Sequence, residues 1–205
     1  MFITLEGPEG SGKTSQMAPL ADFLRQLGNS VVTLREPGGS DIGEQIRAVI
    51  MELNNTAMNP RTEILLFLAS RAQFVEEIVR PALNAGQWVL CDRYADSTLA
   101  YQGFGHRVDL DILRRLLDFA TGGLTPDLTL LLDIETNAGL SRKRKAGGEW
   151  NRLDAYPPEF HQRVRQGYLE LARNEPQRWV VIDASQPLEM VQSAMRQAIL
   201  ARVQA

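Results

Sequence analysis

The chain is poor in residues that staple, ligate or anchor. Its one cysteine, Cys91, cannot form an internal disulfide, and two histidines, His106 and His161, are too few for a His/Cys zinc site. Cys91 ends an apolar run, where a small buried strand residue is a plainer reading than a nucleophile. No apolar run approaches the ~18 residues of a membrane span, and Met1 leads straight into Phe2-Ile3-Thr4-Leu5 without a basic, signal-like stretch. Lysine is scarce too: Lys13, Lys143 and Lys145 stand beside 19 arginines. Against 25 Asp+Glu the net charge is −3, which argues against a nucleic-acid coat or a polybasic membrane-surface protein. A cytoplasmic, reduced protein without nucleic-acid or membrane partners is the expectation.

What is present is ordinary for a globular chain of 205 residues, 44% hydrophobic and 23% charged. That length fits one domain, 1–205, with room for an inserted lid. Phe2 to Glu6, Ser30 to Arg35, Gln87 to Asp92, Asp127 to Asp133 and Arg178 to Asp183 read as five strands apolar on both faces. Amphipathic stretches separate them: Met17, Leu20, Leu24 and Leu27 share one helical face, as do Leu110, Leu113, Leu117 and Ala120. Asn59-Pro60 opens a helix running through Val79, and Gly122-Gly123 closes one begun near Asp109. Pro19 predicts a kink in the first helix. The alternation implies an α/β fold, a five-stranded parallel sheet flanked by helices.

Gly7-Pro8-Glu9-Gly10-Ser11-Gly12-Lys13-Thr14 fits G-x-x-x-x-G-K-[ST] in full, between a strand and a helix, and predicts the P-loop NTPase fold. Glycines let consecutive backbone N–H groups wrap an anion, and the helix start adds its positive dipole end. Lys13 is expected on the outer phosphates of ATP and the Thr14 hydroxyl on Mg²⁺. No lysine follows an asparagine, which excludes the guanine-reading Asn-Lys-x-Asp of small GTPases. Asp92-Arg93 ends a central strand at the sheet edge where ligands bind. There an acid positions hydrated Mg²⁺ and an arginine grips phosphate, although a structural Asp–Arg pair is an equal reading. Phe67 and Arg71 lie one turn apart on one helical face. Phe67 reads as core as readily as it reads as a stacking platform.

Glu6 through Thr14, Arg35-Glu36-Pro37-Gly38-Gly39, Ser70-Arg71-Ala72-Gln73, Asp92-Arg93-Tyr94, Ser97 through Gly103 and Asp183-Ala184-Ser185 occur in an order that resembles the thymidylate kinase family along the whole chain. The resemblance implies phosphorylation of thymidine monophosphate (dTMP) to dTDP with ATP and Mg²⁺, usually by a homodimer. It further implies Phe67 stacked on thymine, Arg71 on the base edge, Arg93 on the acceptor phosphate and Thr98 facing the base, with Ser97 beside it. Tyr101 would crowd the sugar 2′ position, and Glu9 would lie near the 3′-hydroxyl and the Mg²⁺ shell with Thr14 and Asp92. Glu36-Pro37 resembles a family turn in which the proline can be cis.

Ser141-Arg142-Lys143-Arg144-Lys145-Ala146-Gly147-Gly148 is the one concentrated basic run. The variable cradle positions, Pro8 to Ser11, carry no cation, yet phosphoryl transfer needs charge on the migrating group. A lid over about 141–154 is therefore expected to bring in an arginine, as in bacterial-type members of the family. Arg142, Arg144 and Arg152 are the candidates, with Glu149 in the same segment. Two rival readings remain: another nucleoside monophosphate or deoxynucleoside kinase, and a P-loop ATPase or nucleotide-binding regulator.

Overall fold

Five apolar runs become five parallel strands in the computed structural model, which describes residues 1–147 and 150–204. In chain order the elements are β1 (Phe2–Glu6), α1 (Lys13–Gln26), β2 (Val31–Arg35), α2 (Asp41–Met51), α3 (Pro60–Phe74), α4 (Arg80–Asn84) and β3 (Trp88–Asp92). Then come α5 (Ala95–Thr98), α6 (Leu110–Thr121), β4 (Leu128–Asp133), α7 (Thr136–Lys145), α8 (Pro158–Asn174), β5 (Trp179–Asp183) and α9 (Leu188–Gln204). The sheet runs β2-β3-β1-β4-β5. From β1 the chain goes to the edge strand β2, returns to β3 beside β1, and then crosses to β4 and β5 on the other side, so a crevice opens at the carboxyl ends of β1 and β3. Register places Leu5 opposite Asp92, which brings the end of β3 beside the start of the cradle.

Apolarity on both faces holds for the central β1 and β4, whose residues are buried almost throughout. It fails at the edges: Thr33 and Arg35 of β2 and Val181 and Asp183 of β5 are exposed, because an edge strand has a neighbour on one side only. Ile3, Leu5, Leu20, Leu24, Leu130, Met195 and Ile199 fill one side of the sheet beneath α1 and α9. Leu113, Leu117, Leu131, Val164 and Tyr168 fill the other beneath α6 and α8. Cys91 is wholly buried and burial pushes its thiol well up, as a strand residue rather than a nucleophile requires.

Helix ends follow their caps. Asp109 accepts from Asp111 N and Ile112 N, Asn59 accepts from Arg61 N, and Gly122 closes α6 in the left-handed conformation. α1 is a single element through Pro19. The helix begun at Pro60 continues beyond Phe74 through a π-helical stretch, Val75–Val79, and a second one, Leu99–Gly105, follows α5.

Candidate active site

The loop between β1 and α1 wraps around its own lysine. Lys13 is buried, and its Nζ donates to Gly7 O (2.9 Å), Pro8 O (3.0 Å) and Ser11 Oγ (3.1 Å). Burial first and Arg93 second push Lys13 down to about 8. Gly12 caps α1 at φ 87°, a conformation that would strain any side chain. Gly10 lies against the start of α7 so closely that a Cβ there would fall 1.9 Å from Gly139 O.

At the rim of the cradle Thr14 Oγ1 donates to Asp92 Oδ2 (2.8 Å). One hydroxyl and one carboxylate suit a Mg²⁺ ion, which keeps most of its waters and takes its other ligands from phosphates. Among the described residues no three His, Cys, Asp or Glu gather closely enough to cage a metal themselves. Glu9, expected near the sugar 3′-hydroxyl and the Mg²⁺ shell, accepts from Arg93 and Tyr101.

Arg93 stands just past β3 with a left-handed backbone, φ 70°. Its Nη1 donates to Gly7 O (3.0 Å), Tyr168 Oη (3.1 Å) and Ser97 Oγ (3.3 Å), and its Nη2 donates to Glu9 Oε1 (3.0 Å). The same Oε1 accepts from Tyr101 Oη (2.7 Å), and Glu9 Oε2 accepts from Lys143 Nζ (2.9 Å). Burial alone would raise the Glu9 carboxyl, but Arg93, Lys143 and Lys13 together hold it well below the usual carboxylate range. Behind this group Glu6 accepts from Tyr94 N, Ser97 Oγ and Tyr168 Oη. Burial, with Asp96 nearby, pushes Glu6 up to about 7.

A cavity of about 500 Å³ joins the cradle to Arg93, Phe67, Ser97, Thr98 and Tyr101. Glu36, Pro37 and Arg47 also line it, and the Glu36–Pro37 bond is cis. Phe67 is 9% exposed and packs against Ile50 and Leu153, so the stacking candidate is also a core residue on its far side. Arg71 is placed otherwise than expected: it stands behind the wall, almost fully buried. Its Nε donates to Glu36 Oε2 (2.7 Å), Nη1 to Thr98 Oγ1 (2.9 Å) and Nη2 to Tyr94 O (3.1 Å). Its nearest duty is to hold the side chains that shape the cavity.

The basic run is the second half of α7 rather than a separate flap. Gly148 and Glu149 lie outside the described residues. The three candidate arginines diverge. Arg142 lines the cavity and donates to Ala184 O and to Ser185 O (2.6 and 3.1 Å). Arg144 lies over the Trp150 ring at 5.2 Å. Arg152 does not reach the cradle: it is buried, with Nη2 2.6 Å from Glu63 Oε2 and Nε donating to Ile50 O (2.9 Å). The lid reading makes Arg152 a candidate for the phosphates; the buried Glu63 carboxylate holds it instead.

Sequence reasoning passed over two residues that line this cavity, Arg47 and Lys143, and two buried carboxylates behind its wall, Glu6 on Ser97 and Glu63 on Gln102. Glu6 reads as a strand end and Glu63 as a first-turn helix acid. Lys143 is hidden in its charge run. For Arg47 the available signal was weak, one cation in α2 followed by apolar residues.

A model of the thymidylate kinase family matches residues 5–195. A thymidylate kinase of Desulfovibrio desulfuricans is 50% identical over 205 residues, covering 97% of this chain and 94% of its own. One from Thermomicrobium roseum is 52% identical over 194 residues, covering 95% and 91%. The crystal structure of thymidylate kinase from Ehrlichia chaffeensis matches with a TM-score of 0.80 at 31% identity, over 97% of this chain and 98% of that one.

Proposed function

The chain belongs to the thymidylate kinase family and phosphorylates dTMP to dTDP with ATP; we propose that the 7–14 cradle and the adjoining cavity carry out this transfer as follows. The cradle amides and Lys13 hold the donor phosphates, exchanging the loop carbonyls that Lys13 now contacts for phosphate oxygens. Thr14 and Asp92 hold Mg²⁺, which when bound neutralises phosphate charge. Arg93 grips the acceptor phosphate, Phe67 takes the thymine face, Ser97 and Thr98 bound the base, and Tyr101 closes the sugar's 2′ side.

An oxygen of the acceptor phosphate dianion attacks the terminal phosphorus of ATP while the bond to the bridging oxygen breaks, and its electron pair leaves with ADP. No proton needs to move, so neither a base nor a covalent nucleophile is required.

The observation that carries this reading is the Glu9 carboxylate. Its Oε1 receives Arg93 and Tyr101 together, which ties the acceptor arginine to the donor cradle through a single group. This supports donor and acceptor phosphates lying side by side. ADP formation with and without dTMP, in the unmodified chain and in Lys13→Ala, tests it. Loss of dTMP-dependent turnover in a folded Lys13→Ala protein supports the reading, and near-normal turnover overturns it.

We also propose a homodimer working in the cytoplasm. No helix among the described residues is long and apolar enough to cross a membrane. Leu65 on α3 (60% exposed) and Ile112 and Phe119 on α6 (54% and 88%) put large apolar side chains on the outside of two contacting helices. Burying such side chains against a second copy is the simplest use for them.

A further inference from the structure

Of the lid cations, the one that meets the cradle is a lysine. Lys143 Nζ donates to Glu9 Oε2 and also to Asp154 Oδ1, whose side chain is fully buried. Arg142 is spent on the carbonyls of 184 and 185, Arg144 on Trp150 and Arg152 on Glu63. Glu9 therefore sits among three cations of separate origin: Lys13 from the cradle, Arg93 from the end of β3 and Lys143 from α7. Arg93 and Lys143 grip opposite oxygens of this one carboxylate.

A phosphoryl group in flight carries its charge on equatorial oxygens, and fixed cations around its path are what lower the barrier. Lys13 covers the donor side and Arg93 the acceptor side. We propose that Lys143 is the third cation, a catalytic residue that leaves Glu9 for the migrating phosphoryl. Glu9 and Asp154 are the resting partners that hold its ammonium at the cavity. This rests on the cavity being the site of transfer, as given above. A lysine suffices because the task is a point charge on one oxygen, not a bidentate clamp. Lys143 gives up no atom: the phosphoryl passes from ADP oxygen to acceptor oxygen while the lysine only changes its hydrogen-bond partners.

Steady-state kinetics of Lys143→Ala, with Lys13→Ala and Lys145→Ala alongside, test this. Lys143→Ala is expected to lower kcat by about 10²–10³-fold, the loss typical of one preorganised charge, with the KM for dTMP within about threefold. Lys145, exposed on the same helix, is expected to change kcat less than twofold on substitution. Removing Lys143 leaves Asp154 buried without its cation, so a second variant, Lys143→Met with Asp154→Asn, removes both charges. If the paired variant still shows the kcat loss while its melting temperature is normal, the catalytic role stands. If Asp154→Asn restores turnover, or if Lys143→Ala leaves kcat intact, the proposal falls. Should Lys13→Ala also leave turnover intact, the site reading itself has failed, an outcome separable from the failure of Lys143 alone.

Discussion

Arg152→Ala separates two roles for the same residue by magnitude. In the structure Arg152 is an interior residue: it pairs with Glu63 at 2.6 Å, donates to Ile50 O and donates to Tyr156 Oη at 2.8 Å. Glu63, 1% exposed, also accepts from Gln102 Nε2 (2.8 Å) and Tyr156 Oη (3.0 Å) and contacts His106 Nε2 (3.1 Å). Hydrogen bonds with His106 and Gln102, ahead of the Arg152 charge, hold the Glu63 carboxyl well below its ordinary range despite its burial, so Arg152→Ala takes the cation from a buried carboxylate. Stranding one half of a buried ion pair costs about 3–5 kcal/mol. For a chain of this size each kcal/mol shifts Tm by about 2–4 °C, which predicts a fall of roughly 6–20 °C. Urea unfolding followed by fluorescence, with thermal scans, reads both. Arg152→Met with Glu63→Gln is expected to recover most of the loss, since an ion pair removed whole costs far less than one broken. An arginine that met the migrating phosphoryl would behave in the opposite way: unchanged Tm and kcat down by about 10³–10⁵-fold. That second pattern would refute the interior role.

Phe67→Ala is expected to weaken dTMP binding by about 1–3 kcal/mol in calorimetric titration; lowered stability with unchanged affinity would make Phe67 core alone. Glu6, raised from 4.5 to about 7, keeps its proton in the folded chain after the unfolded chain has lost it. Its stabilising contribution is complete below pH 4.5 and is lost as pH rises to about 7, by roughly 3 kcal/mol. Urea midpoints across that window should lose much of this downward slope in Glu6→Gln, and equal slopes in the two proteins would contradict it. Phe119→Glu is expected to convert a dimer to monomer in light scattering, and an unchanged mass would remove α6 from the contact.

The strands and the cradle were legible because their signals are local. Five apolar runs, a glycine-rich turn and the caps at Asn59, Asp109 and Gly122 each depend on residues a few positions apart. Glu63 was not legible, because what buries it are His106 and Arg152, distant in sequence and brought together by the fold. Arg71 misled for a related reason. Its spacing from Phe67 was right, but Glu36 and Thr98, which line the cavity, hold its guanidinium behind them. The π-helical stretch at Leu99–Gly105 adds a register shift that a 3.6-residue period does not announce, although the polar and aromatic residues from Ser97 to Gly103 marked the place as unusual.

The close approach of Gly10 and Gly139 decides where leverage on α7 acts. With Gly139 O lying where a Cβ of Gly10 would be, and Glu9 O 2.3 Å from a Cβ on Gly139, the helix base and the cradle are joined backbone to backbone. Arg142 adds a second fastening, one turn on, at Ala184 and Ser185. The half of α7 up to residue 142 is therefore pinned to the cradle and to the end of β5, and Lys143 is the first residue of the helix beyond both fastenings. A shift of that half of α7 must displace the phosphate loop with it, because no side chain lies between the two backbones to give way. A single methyl group at either glycine would force the base of α7 and the cradle apart.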